Sequence, residues 1–165
     1  MMTARLYGPS RIVAIDKADS RLEKARSEFG ADVAVNSDAE DPLEVVNGLS
    51  EGLGADVAIE AVGIPETFEL CTELVRPGGR VANIGVHGHP ATLHLERLWI
   101  RNVTITTGLV DTSSTPTLLR LVSEGRLDPR PFATHRFTQD EILDAYGVFA
   151  DAAKTNALKM VLTRS

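Results

Sequence analysis

The sequence predicts an α/β chain built on a doubly wound parallel sheet. Three observations predict it. Short, apolar, β-branched runs alternate with helical patterns at short intervals, as strands and crossover helices do. Glycines close successive runs: Gly63 after "AIEAV", Gly85 within "NIGV" and Gly108 after "TITT". The first run, "RIVAI" at residues 11–15, ends in an acid, Asp16, and a helix signal follows.

The elements follow in order. Ser20 and Glu23 have the spacing of a capping box, and Leu22, Ala25 and Phe29 then fall on one helical face with Gly30 as the stop. "DVAVN" at 32–36 is a short strand. Asp41 caps the next helix, Pro42 suits its first position, and Leu43, Val46 and Leu49 form its stripe. A strand is expected over 57–62. A helix is expected over 65–75, burying Phe68, Cys71, Leu74 and Val75. "RPGG" at 76–79 is expected as a turn, then "RVANIGV" and "NVTITTG" as strands. Composition changes near Asp111, which divides the chain into residues 1–112 and 113–165. The second part holds a helix in "STPTLLRLVSEG", the strand "HRF", a capping box in Thr138 and Glu141, a helix carrying Ile142, Ala145, Tyr146 and Phe149, and the strand "ALKMVL".

Composition narrows the function classes. A chain of 165 residues can bury a sizeable core. Its 17 basic and 23 acidic residues are interspersed, with net charge −6, which argues against nucleic acid or an anionic membrane as partner. The lone Cys71 excludes an intramolecular disulfide and a cysteine-cluster metal site. No run is long and apolar enough to span a membrane, and "MMTARLYGPSR" lacks a signal-peptide core. A reducing, cytoplasmic setting is the expectation.

The chemistry centres on strand ends. In a doubly wound sheet, ligands lie outside the carboxyl ends of the strands, and an acid after the second strand meets a nucleotide ribose. Asp16 stands at such a position, and Arg21 on the following helix could reach the same ribose or adenine. Taken alone, Asp16 serves equally as a turn acid and Arg21 as a solvated helix residue. Gly63, Gly85 and Gly108 would let backbone approach a ligand closely. That acid sits about 20 residues after a glycine-rich phosphate loop, and counting back from Asp16 finds no such loop in these residues. His87, His89 and His94 have no ligand spacing and are expected as loop histidines, His135 as a strand residue and Cys71 as an inert core thiol.

Together "GADVAIEAVG", "FELCTELVRPGGRVANIGVHG", "LWIRNVTITTGLVDT", "THRF" and "ALKMVLTR" resemble the C-terminal half of zinc-dependent medium-chain alcohol dehydrogenases, over most of the chain. The resemblance implies a Rossmann fold of strand order 3-2-1-4-5-6, here lacking its first strand and glycine-rich loop, with a C-terminal return into a catalytic domain. It implies that Asp16 and Arg21 hold the adenosine ribose of NAD. It implies that Val62, Gly63, Ile84, Gly85, Val86, Gly108 and Leu109 line the ribose and nicotinamide half. It also implies an alcohol or carbonyl substrate and a homo-oligomer through the strand at 102–108.

"TARLYGPS" resembles the tail of the helix that follows the family's phosphate loop. The family's zinc ligands are missing from these residues, so no catalytic or metal residue is assigned. The expected function is a fragment of an NAD-dependent, zinc-dependent alcohol dehydrogenase, inactive as an isolated chain and binding NAD weakly or not at all. A non-catalytic nucleotide-binding or interaction module, or a fragment of a zinc-free quinone-reductase relative, are the alternatives. Without the first strand, "RIVAI" and "VAIEAV" face a gap, which a rearranged sheet or a second chain is expected to fill. The terminal "ALKMVL" is expected to lack its catalytic-domain partner, which would expose Leu158, Met160 and Leu162.

Overall fold

The computed structural model describes residues 1–109 and 111–164. It divides into two compact units: Met1–Asp38 with the stretch from residue 113 onward, and Ala39–Thr112.

The first unit opens with α1 (Met2–Arg5), β1 (Val13–Asp16), α2 (Asp19–Ser27) and β2 (Val33–Asn36). β1 and β2 run parallel, with Val13 opposite Val33 and Asp16 opposite Asn36. Leu22, Ala25 and Phe29 are buried, as the helical spacing predicts. The capping box at Ser20 and Glu23 does not form. The helix starts at Asp19, and the Asp16 carboxylate takes the Ala18 N–H at 2.9 Å. Gly30 ends the turn in the left-handed region (φ 78°), and the Ala31 N–H reaches back to the Ala25 carbonyl at 2.8 Å. α1 is tied to this layer by Arg5, which donates to Asp32 at 2.5 Å and to the Gly30 carbonyl at 3.0 Å. Asp32 also accepts the Ile12 N–H at 2.6 Å.

The second unit contains α3 (Pro42–Leu49), β3 (Ala55–Glu60), α4 (Pro65–Leu74), β4 (Val75–Asn83), α5 (Leu95–Leu98) and β5 (Thr104–Thr107). Asp41 caps α3 through the Leu43 N–H at 2.8 Å, with Pro42 in the first turn. The sheet order is β3-β4-β5, all parallel. "RPGG" is not the free turn expected from its residues. Ala55 pairs with Val75 and Val57 with Arg80, so residues 76–79 bulge within β4. The Gly78 N–H there donates to the Arg101 carbonyl at 2.7 Å. Ala58, Cys71, Val75 and Val81 form the core, with Val103 and Ile105 against it.

The first unit closes with α6 (Thr115–Ser123), β6 (Ala133–Thr138), α7 (Ile142–Ala150), α8 (Ala152–Thr155) and β7 (Lys159–Thr163). Here the capping box does form. The Glu141 carboxylate accepts the N–H and the hydroxyl of Thr138, both at 2.8 Å. β7 pairs parallel with β6, Phe137 opposite Leu162, and Leu162 is exposed. Phe132, in the 3₁₀ turn before β6, stacks on Phe29 with ring centroids 4.6 Å apart.

The fold is the incomplete doubly wound sheet expected. Removing strand 1 from the order 3-2-1-4-5-6 leaves 3-2 and 4-5-6, and the sheets β2-β1 and β3-β4-β5 have those orders.

The Arg5 guanidinium, then the Ile12 N–H, hold the Asp32 carboxyl below its ordinary value of 3.8. A depressed carboxyl adds stability above its unfolded pKa and loses it as pH falls through the folded one. Asp32→Asn should therefore lower the urea midpoint at pH 7, and the gap to wild type should close as pH drops below 3.8. A gap independent of pH would show that the ion pair does not contribute.

Candidate functional site

The strand ends of the second unit converge on one buried acid. Side chains of β3 alternate, with Ala58 and Glu60 inward and Val57 and Ile59 outward. Glu60 thus lands inside with 1 % of its surface exposed. Its Oε1 accepts the Val62 N–H at 2.8 Å, the Gly63 N–H at 2.8 Å and the Thr67 hydroxyl at 2.7 Å. Its Oε2 lies 3.3 Å from His87 Nε2. Burial by itself would push this carboxyl up. The Gly63 N–H, the Thr67 hydroxyl, the Val62 N–H and His87 outweigh burial and hold it below its ordinary range.

His87 Nε2 is also 2.9 Å from Asn83 Oδ1. Both neighbours of Nε2 are acceptors, so Nε2 carries the hydrogen. Asn83 is oriented the same way by its amide N–H, which donates to the Gly85 carbonyl at 3.3 Å. His87 Nδ1 is buried without a partner among the described residues. The ring stands edge-on to Phe68, 6.2 Å between centroids. His87 lies in the loop after β4, as expected, and is built into the strand-end network.

This network brings five of the proposed cofactor residues together. Gly63 has φ 90°, and a Cβ on it would lie 2.4 Å from the Val86 carbonyl oxygen. A Cβ on Gly85 would lie 2.2 Å from Glu60 Oε2 and 2.4 Å from the Gly63 nitrogen. The turns after β3 and β4 are therefore in backbone contact, and glycine is what allows it. Val62, Ile84 and Val86 present apolar side chains outward, Val86 being 85 % exposed. Gly108 and Leu109 follow β5. Nothing crowds Gly108, and Leu109 is 91 % exposed.

Asp16 and Arg21 belong to the other unit. Asp16 ends β1, its side chain one-third exposed, with Arg21 at 3.7 Å from its Oδ2. One carboxylate oxygen is thus weakly engaged and can accept a further hydroxyl. Beside it, Lys17 pairs with Asp38 at 2.9 Å and Asn36 donates to Asp19 at 2.6 Å.

His94 contacts Glu96 at 2.8 Å, and His135 lies in β6 against the Thr134 hydroxyl at 3.0 Å. Burial first, then the Glu60 charge, pushes the Cys71 thiol up to about 11, which leaves it an inert core residue. Among the described residues no group of three or more His, Cys, Asp or Glu side chains converges to hold a metal.

The family model described as zinc-binding dehydrogenase matches residues 1–124. The chain belongs to this family. It is 36 % identical over 152 residues to an alcohol dehydrogenase of Cupriavidus necator, covering 90 % of the chain and 41 % of that protein. It is 33 % identical over 141 residues to the L-threonine 3-dehydrogenase of Bacillus subtilis, covering 84 % of the chain and 40 % of that protein. The structure of zinc-dependent alcohol dehydrogenase 2 from Streptococcus pneumonia, in its apo form, superposes with a TM-score of 0.93 at 44 % identity. It covers 99 % of this chain and 48 % of that one. The chain therefore spans less than half the length of the relatives it matches. No helix among the described residues is long and apolar enough to cross a membrane.

Glu60 escaped the sequence reading. Its signal is an acid at the inward parity of an apolar strand, three residues before a glycine.

Gly85→Ala is expected to lower stability by more than about 2 kcal/mol, since its Cβ would meet backbone and a fixed carboxylate. Gly108→Ala, in open space, should change it little. Urea melts of the two variants check this, and equal midpoints would refute the close approach.

Proposed function

We propose that this chain forms the nucleoside-holding part of an NAD-dependent, zinc-dependent alcohol dehydrogenase, which converts an alcohol to an aldehyde or ketone. The observation that carries the reading is Asp16 at the carboxyl end of β1, with a carboxylate oxygen open to a hydroxyl, in a fold with the pieces 3-2 and 4-5-6. An acid there accepts the ribose hydroxyls of NAD. Arg21 supports that carboxylate. Val62, Gly63, Ile84, Gly85, Val86, Gly108 and Leu109 line the ribose and nicotinamide half. NAD, when bound, supplies the hydride acceptor. The described residues do not fit zinc, so no step is assigned to zinc in this chain.

Residues 1–112 belong on this reading to the coenzyme-binding domain and 113–165 to the catalytic one. β5 offers an edge for a second copy of the chain. The protein is cytoplasmic, and its substrate is a small alcohol or carbonyl compound.

Saturation-transfer NMR with millimolar NAD and NADP tests the assignment. A 2′-phosphate would sit within a few ångströms of Asp16, at a cost on the order of 1–4 kcal/mol. NAD should therefore bind the tighter of the two. Asp16→Ser should narrow the preference. Equal binding of both cofactors by the wild-type chain would remove Asp16 from the ribose.

A further inference from the structure

We propose that Glu60 is a positioning residue whose negative charge, through His87 and Asn83, fixes the turns after β3 and β4 against each other. The function of those turns rests on the reading above, but the latch does not.

The contacts form a closed circuit. Glu60 Oε1 binds the Val62 and Gly63 N–H groups of the first turn and the Thr67 hydroxyl of α4. Glu60 Oε2 meets His87 of the second turn. His87 Nε2–H also reaches Asn83, and Asn83 returns to the Gly85 carbonyl. Gly85 itself lies against Oε2 and the Gly63 nitrogen. Every link needs a particular hydrogen-bonding role. One oxygen receiving three donors suits an ionised carboxylate, because charge-assisted bonds are about twice as strong as neutral ones. His87 Nε2 must be the protonated nitrogen, since acceptors stand on both its sides. Shape alone would not require this. A buried apolar side chain of similar volume would fill the space but leave the Val62 and Gly63 N–H groups without an acceptor and His87 with Asn83 alone. Val62, Ile84 and Val86 stand on the latched turns, so the latch sets where that apolar platform sits.

The test uses Glu60→Gln, which keeps the volume and one acceptor but turns an NH₂ group toward His87 Nε2–H. In the wild-type chain, ¹⁵N NMR should show the His87 proton on Nε2. In Glu60→Gln Asn83 is the one acceptor left to Nε2–H, so the His87 ¹⁵N signal should shift from its wild-type position. Exchange protection of the Val62 and Gly63 amides should fall about tenfold, while Val81 in the same sheet stays protected. Wild-type protection and an unchanged His87 signal in the variant would overturn the proposal. So would a uniform loss across β3 and β4, the mark of mere stability. Should the variant not fold, a wild-type His87 with its proton on Nδ1 alone overturns the proposal, and the Nε2 form upholds it.

A second arm adds NADH. Saturation transfer to its nicotinamide protons should weaken in Glu60→Gln, with transfer to adenine kept. If NADH makes no contact with the wild-type chain, the cofactor reading fails, and amide exchange still decides the latch.

Discussion

The second unit depends on a buried carboxylate that stays charged. Taking such a group out of water costs several kcal/mol unless partners replace the lost hydration. Glu60 has three donors at 2.7–2.8 Å and His87 at 3.3 Å, and these outweigh burial. The consequence reaches past the acid. The donors come from the turn after β3, from α4 and from the loop after β4, so satisfying the charge sets three chain segments at once. Gly63 and Gly85 are then required by geometry, because the segments meet too closely for a Cβ. The same charge adds to the burial that keeps Cys71 protonated in the neighbouring core.

A second constraint is the one-sided pairing of β1 and β3. Among the described residues each has a single strand partner, β2 and β4. On β3, Val57 and Ile59 are 52 % and 55 % exposed, while Ala58 and Glu60 on the other face are buried. Alternation places large β-branched residues on a face that this chain does not cover. A strand with one open edge and such a face is a site where other strands add. The β6–β7 pair is likewise one-sided. There the strand joins a partner from within the chain, and register is set by five paired positions.

Much of this was legible in the residues, and the departures have local causes. Two stretches match the same capping pattern, Ser20 with Glu23 and Thr138 with Glu141, yet only the second forms. At the first, Asp16 takes the Ala18 N–H, and the helix begins at Asp19, ahead of the Ser20 cap. A side chain from the preceding strand thus decided the cap, which a local motif does not encode. "RPGG" reads as a turn because proline and glycine punctuate, but pairing on both sides of it absorbs the residues as a bulge. A charged residue near a strand end, such as Glu60, also suits a turn acid. Its inward parity becomes evident once Val57 and Ile59 are placed outside.

The resemblance to dehydrogenases extends to proteins named for different substrates. The Cupriavidus protein is an alcohol dehydrogenase and the Bacillus one an L-threonine 3-dehydrogenase, yet both match over most of this chain at similar identity. Features common to proteins with different substrates must answer to something those proteins share. In this chain the strand order, the glycine contacts and Asp16 all lie at strand ends, where a doubly wound fold receives its ligand. Substrate choice needs side chains that differ between relatives and touch the reacting group. The described residues bring no metal-binding group together, and the glycines at their strand ends carry no side chain with which to discriminate. The physical content of this chain is therefore a scaffold: a charge-locked pair of turns in one unit and an open acid at a strand end in the other.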